Sequence, residues 1–298
     1  MSIPQVGFSH QQSNQAELQI MELSDLYEQD RLDHSPERAH RINFFGIIYI
    51  EQGTGNHMVD FEEYPFDQGS VLFVQREQVH SFDFSNRPKG KILLFTQAFL
   101  DQVHANMKLP NYTPTHLNEK HSPLLQLEAQ DQTPTLVFIR QMIEEINREG
   151  SEPLIVMYLF SAFALSLHRL RPEIRQDKLT QEQSIRFARF FELMQSHFHQ
   201  IRDANWYAQQ INTTYKTLNI VCKLATGLTA KQMIDAFTII EIKRRLVVSH
   251  TPSQQMAYDF GFEDASNERI RGIFQDKERQ SRGKNCVYII LRHQQRRI

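Results

Sequence analysis

From residue 42 the chain alternates apolar and polar positions in short runs broken by turn residues. Phe44 to Ile50 is an aromatic and β-branched run, ended by Gly53 and Gly55, which tolerate positive φ. His57, Val59 and Phe61 then alternate with Met58, Asp60 and Glu62, a period of two that predicts a strand. Tyr64 to Gly69 reads as a turn, and Ser70–Val74, Val79–Phe84 and Lys91–Phe95 as further strands. Closely spaced strands without intervening helical pattern predict a sandwich or barrel.

The period changes after residue 130. Thr133-Pro134 predicts a helix start, and Leu136, Ile139, Met142, Ile143 and Ile146 recur at spacings of three and four up to Gly150. Glu152-Pro153 opens a second helix reaching about Arg169. It is apolar nearly all round, so it is buried in its own fold or against a partner. Arg171 to Lys178 is polar, begins with a proline stop and reads as a linker.

Beyond the linker the pattern is helical as far as about Asn267, and the basic tail that follows turns strand-like at Cys286 to Leu291. Thr180 to Gln183 marks a helix entry, and Ile185, Phe187, Phe190, Phe191, Met194 and Phe198 form an apolar stripe. A short helix around Trp206 to Ile211, a turn at Asn212-Thr213, and a helix capped by Thr214 and closed by Gly227 spell a helix-turn-helix. On the second of these helices Leu218, Val221 and Cys222 point inward. Lys216, Asn219, Ile220 and Lys223 are expected to form one outward face. In a major groove Lys216 suits guanine acceptors, Asn219 a bidentate pair with adenine, and Ile220 a thymine methyl; Thr214, Tyr215 and Lys223 suit phosphates. A long helix over 230–248 follows, containing Lys243-Arg244-Arg245, and Thr251-Pro252 precedes another short helical segment.

Charge sharpens this division. Residues 1–177 hold 14 Lys and Arg against 24 Asp and Glu, whereas residues 178–298 hold 19 against 11. A basic second half fits a polyanion partner. The two cysteines, Cys222 and Cys286, cannot build a disulfide framework or a thiolate zinc site, which leaves a reducing, cytoplasmic setting. No apolar run is long enough to span a membrane, and no secretory signal opens the chain. No catalytic Ser/His/Asp or Cys/His pattern and no phosphate-cradling glycine loop stands out in the first half, so no enzyme activity and no cofactor are expected. His40, His57 and His80, with Phe44 and Tyr49, are expected to line a pocket for a small organic effector.

Two stretches resemble the AraC family of transcription regulators. The first runs from His40-Arg41-Ile42-Asn43-Phe44-Phe45 through Gly53-Thr54-Gly55, Tyr64-Pro65, Gly69-Ser70 and Gln78-Val79-His80 to Gly90-Lys91-Ile92-Leu93-Leu94-Phe95. It is similar to that family's ligand-binding domain, a cupin-like jelly roll. The second runs from Leu179 to Asn267 and includes Ala257, Gly261-Phe262 and Asp264 of a second helix-turn-helix. The resemblance implies an α+β chain of two domains. An effector-binding barrel (1–110) and a helical dimerisation segment (111–170) precede the linker (171–178). An all-α double helix-turn-helix domain (179–298) follows, with Ser266 and Arg269 facing DNA in its second motif. It also implies double-stranded promoter DNA, a small effector and a second copy of the chain as partners, with RNA polymerase a further candidate.

Two departures bear on function. Metal-dependent cupins carry His-x-His on one strand, and here Val59 stands where the second histidine would be, two positions after His57, so no metal is expected. After Asn267 the match stops: Glu268 and Gly272 occupy positions where the family has aromatics. Residues 268–298 are either a divergent tail or a shifted reading frame. The alternatives to an effector-controlled DNA-binding regulator are thus a DNA-binding-impaired variant acting through protein contacts, or a metal cupin enzyme.

Overall fold

The computed structural model describes residues 5–8, 17–28, 35–83, 85–107, 122–171, 179–248 and 253–262. Ten strands occupy the first half: β1 (Gln5–Val6), β2 (Leu18–Glu22), β3 (His40–Ile42), β4 (Phe45–Gln52), β5 (Gly55–Val59), β6 (Glu62–Phe66), β7 (Ser70–Val74), β8 (Val79–Phe82), β9 (Lys89–Phe95) and β10 (Leu124–Gln126). They form two five-stranded sheets, ordered β1-β3-β8-β5-β6 and β10-β7-β4-β9-β2. Pairing is antiparallel except for β1 against β3.

Alternation along β4 assigns the two faces of the second sheet. Phe44, Ile48 and Ile50 join Ile42, Val59, Phe66, Leu72, Val74 and Ile92 in a core that the two sheets share. Phe45, Ile47 and Tyr49 point the other way, into a second core with the helices α2 (Gln97–Met107), α3 (Ala129–Ile146) and α4 (Pro153–Arg169). Phe160 of α4 sits at its centre, its ring 5.0 Å from those of both Phe95 and Phe99 in edge contacts.

Two expected boundaries shift. Tyr64-Pro65 is not a turn but part of β6, the edge strand beside β5; a proline is tolerated there because an edge position needs no outward donor. The turn is confined to residues 67–69, closed by Gly69 at φ +83°. Helix α3 starts at Ala129 rather than at Pro134, which lies inside it. Pro134 removes one backbone donor from the helix, and the Thr135 hydroxyl beside it donates to the Asp131 carbonyl at 2.7 Å. Helix α4 begins as expected, with the Glu152 carboxylate accepting from the Leu154 N–H.

After residue 178 the described structure is helical: α5 (Gln181–His197), α6 (Ala204–Gln210), α7 (Tyr215–Thr226), α8 (Ala230–Val248) and α9 (Ser253–Asp259). Thr180 and Gln183 form a reciprocal capping box at α5. Phe187, Phe190 and Met194 of α5 pack with Tyr207 and Ala208 of α6, Leu218, Val221 and Cys222 of α7, and Met233, Ile234 and Phe237 of α8. Helix α9 packs Met256 and Ala257 against Ile242 of α8. The linker from residue 172 onward, and Ser266 and Arg269 of the expected second motif, lie outside the described residues.

Candidate effector cavity and nucleic-acid interface

Helices α6 and α7 are joined by residues 211–214, with Asn212 at φ +53° making the turn. The Thr214 hydroxyl accepts the Thr217 N–H at 3.1 Å, capping α7, and Gly227 closes it in the left-handed region at φ +78°. With Leu218, Val221 and Cys222 fully buried, the opposite face of α7 is fixed outward. Tyr215 and Ile220 are 44% and 48% exposed, and Lys216 and Lys223 are exposed beside them. Burial also pushes the Cys222 thiol up, leaving it a packing residue.

Asn219 departs from expectation. It is half-buried, and its Oδ1 accepts the Ala230 N–H at 3.0 Å, capping the start of α8. Bidentate adenine recognition requires that oxygen. We therefore correct its assignment from base reader to the joint between α7 and α8.

The other site is a cavity of about 150 Å³ inside the two sheets. Ile48, Val74, Ile92 and Leu94 come from one sheet, Ile42, His40, His80 and Phe82 from the other, Phe44 from the bend between β3 and β4, and Val6, Phe8 and Leu26 close one side. The pairing of His40 with His80, and of Val59 with His80, brings these side chains to the same inner face. The His40 and His80 rings lie 4.1 Å apart. His40 Nδ1 is 2.9 Å from the Arg38 carbonyl, which can only accept, so Nδ1 carries the proton. His57 is fully buried behind this pair, 5.3 Å from the His80 ring and in edge contact with Phe82 at 4.4 Å. Neither of its nitrogens has a hydrogen-bond partner among the described residues. Burial, and secondarily the nearby His40, hold its pKa down at about 3, so it is neutral near pH 7.

Sequence reasoning grouped His40, Phe44, Tyr49, His57 and His80, and the structure separates them. His40, Phe44 and His80 line the cavity, and His57 stands behind it. Tyr49 is a correction: as an odd-numbered position on β4 it faces the α3–α4 core, 3% exposed, on the far side of the sheet. Among the described residues, no three His, Cys, Asp or Glu side chains are arranged to hold a metal ion.

The structure adds one constellation that sequence reasoning missed. Arg244 of α8, 1% exposed, meets Asp60 at the β5–β6 turn, with Nε 2.9 Å from Oδ1 and Nη2 2.7 Å from Oδ2. Glu241 takes its Nη1 at 2.5 Å. Burial opposes the Arg244 charge, and the two carboxylates more than offset that, raising its pKa. Asp60 is itself tied to β8 and the residue before it: Val79 N–H donates to Oδ1 at 3.2 Å, and Gln78 Nε2 to Oδ2 at 2.8 Å. The next residue, His80, faces the cavity. The legible signal was spacing: Arg244 falls on the face of α8 that buries Met233 and Phe237.

Residues 24–163 match the family model of the AraC-like ligand binding domain. The chain is 23% identical over 247 residues to the HTH-type transcriptional activator RhaS of Escherichia coli (strain SE11), covering 80% of this chain and 84% of the relative. RhaS of Shigella sonnei gives the same identity and coverage. Among solved structures, ToxT from Vibrio cholerae O395 aligns over 79% of this chain and 85% of its own, at 14% identity and a TM-score of 0.41. No helix among the described residues is long and apolar enough to cross a membrane. Residues 24–163 thus match an AraC-like ligand-binding domain, and 80% of the chain is similar to HTH-type transcriptional activators.

Proposed function

We propose that this chain binds promoter DNA in a sequence-specific manner through α7, and that a small organic effector in the cavity between the sheets controls that binding. The observation that carries this reading is the outward face of α7. Two lysines, a tyrosine and an isoleucine stand exposed on a helix capped at both ends and held by a tight turn to α6. Lys216 and Ile220 would read base edges, while Tyr215, Lys223 and the α7 N-terminus at Thr214 would position phosphates. Ser266 and Arg269 would serve a second groove contact, if the chain after Asn267 forms one.

Communication between the sites has a short covalent and hydrogen-bonded route. His80 faces the cavity, its neighbour Val79 holds Asp60, and Asp60 holds Arg244 of the helix that packs on α7. An effector that shifts β8 would thereby alter how α8 is held. A second copy of the chain is the proposed partner of α4, whose Leu154, Ile155, Tyr158 and Leu165 are 41–54% exposed although the helix carries few polar residues.

A mobility shift with DNA flanking the coding region tests the reading. Retarded complexes that survive competition by random DNA support it. Binding that random DNA abolishes at equal mass would leave only non-specific attraction.

A further inference from the structure

We propose that the cavity takes an uncharged, mainly apolar molecule built on one or two rings, rather than a sugar or an organic ion. The inference rests on the effector reading above and specifies the chemistry of that site's ligand. Its first support is the wall. Ile42, Phe44, Ile48, Val74, Ile92 and Leu94 dominate the lining, and the polar side chains among the described lining residues are Gln19, His40 and His80. None of the described lining side chains is Lys, Arg, Asp or Glu. Buried without a counter-charge, a carboxylate or ammonium group loses its hydration and gains nothing comparable.

A sugar fails for a related reason. Its hydroxyls need many partners, and the central strands around the cavity, β4, β7, β8 and β9, commit their backbone to their own ladders. Three polar side chains cannot satisfy a ring of hydroxyls, and each unmatched one weakens binding about ten-fold or more. One hydrogen-bonding group, by contrast, can be met at the His40–His80 wall, where His40 presents a fixed Nδ1–H tautomer. His57 shows how poorly this region supports charge, since burial keeps it neutral. Size agrees: apolar cavities of about 150 Å³ accommodate a benzene-sized molecule.

Calorimetric titration of the full chain tests this with indole and benzyl alcohol as neutral ring probes. Benzoate, benzylammonium and D-xylose serve as the anionic, cationic and polyhydroxylated counterparts. Both neutral probes are expected to bind at least ten-fold more tightly than any of the other three. Gly46→Val places the site. A Cβ there would meet Val74 Cβ at 3.7 Å and Leu94 Cδ2 at 3.8 Å, ordinary contacts, and its methyl groups would enter the cavity that Gly46 lines. This variant should fold normally by circular dichroism and lose at least ten-fold in affinity for indole. Absence of binding by either neutral probe, equal or tighter binding of an ion or of xylose, or full indole binding by Gly46→Val would each overturn the proposal. A sugar or ion that changes operator affinity would refute this ligand class and leave the regulator reading standing. Failure to bind operator DNA selectively would refute the regulator reading, whatever the titrations show.

Discussion

Asp60→Asn isolates the contact between barrel and helices. The substitution keeps the side-chain shape, and asparagine tolerates the φ of +46° that Asp60 adopts. The amide can still accept one of the bonds from Gln78 and Val79, but its NH2 group meets the Arg244 guanidinium as donor against donor. Arg244 is buried, so losing the carboxylate strands most of a positive charge, with Glu241 as its remaining ion-pair partner among the described residues. Removing one partner of a buried ion pair costs ~3–5 kcal/mol; with Glu241 retained we expect about 3 kcal/mol. The molecule can escape that cost by undocking α8 from the barrel, so the docked-to-undocked ratio should fall by about two powers of ten. Small-angle scattering of the full chain should show a larger radius of gyration for Asp60→Asn than for wild type. Arg244→Gln should expand the chain similarly, and the double variant should expand it no further than either single change. Unchanged scattering from both single variants would show that the pair does not hold the domains together. Additive expansion in the double variant would show that the two residues act independently.

Other outcomes follow from the same structure. Lys223→Ala should reduce the slope of log affinity against log salt by about 1, measured by anisotropy on operator and random DNA, whereas Lys216→Ala should relax preference on the operator. Asn219→Ala should lower the melting stability of the helical domain by ~1 kcal/mol through the lost cap on α8, without relaxing preference at any single base pair; relaxed preference would restore it as a base reader. Phe160→Ala should cost ~3–5 kcal/mol in urea unfolding of the barrel, because its ring centres the core between the second sheet and the helices. His57 is neutral when folded, with its pKa near 3, and binds a proton below about 6.5 when unfolded. Stability should therefore fall as pH drops through that window, by up to ~1.4 kcal/mol per unit from this residue. His57→Phe should flatten the dependence by one proton in acid titrations followed by circular dichroism.

Where one local signal dominated, the sequence was readable. The Thr214 cap, the Gly227 terminator and the buried Leu218–Val221–Cys222 face of α7 stand as the periodicity predicted, because each needs only neighbours along the helix. Strand faces were harder. Tyr49 differs from Ile48 by one position, and that single step moves it from the cavity to the helix-packed core. Pro65 misled because a turn residue and an edge-strand residue look alike until the sheet order is known. Asn219 fell on the outward arc by helical spacing, yet the chain returns at Ala230 to claim its oxygen. Arg244 sat in a basic run that reads as solvated; its partner lies 184 residues away, beyond any local pattern.

The central claim is that the α7 face selects DNA sequence. Footprinting of the full chain on the DNA flanking its coding region, against wild type with Lys216→Ala and Ile220→Ala, tests it most directly. The account predicts a protected major-groove segment, an affinity at least ~10³-fold above that for random DNA, and loss of that ratio in the Ile220→Ala and Lys216→Ala chains. Protection that spreads evenly along any DNA, or a selective footprint untouched by both substitutions, would contradict it.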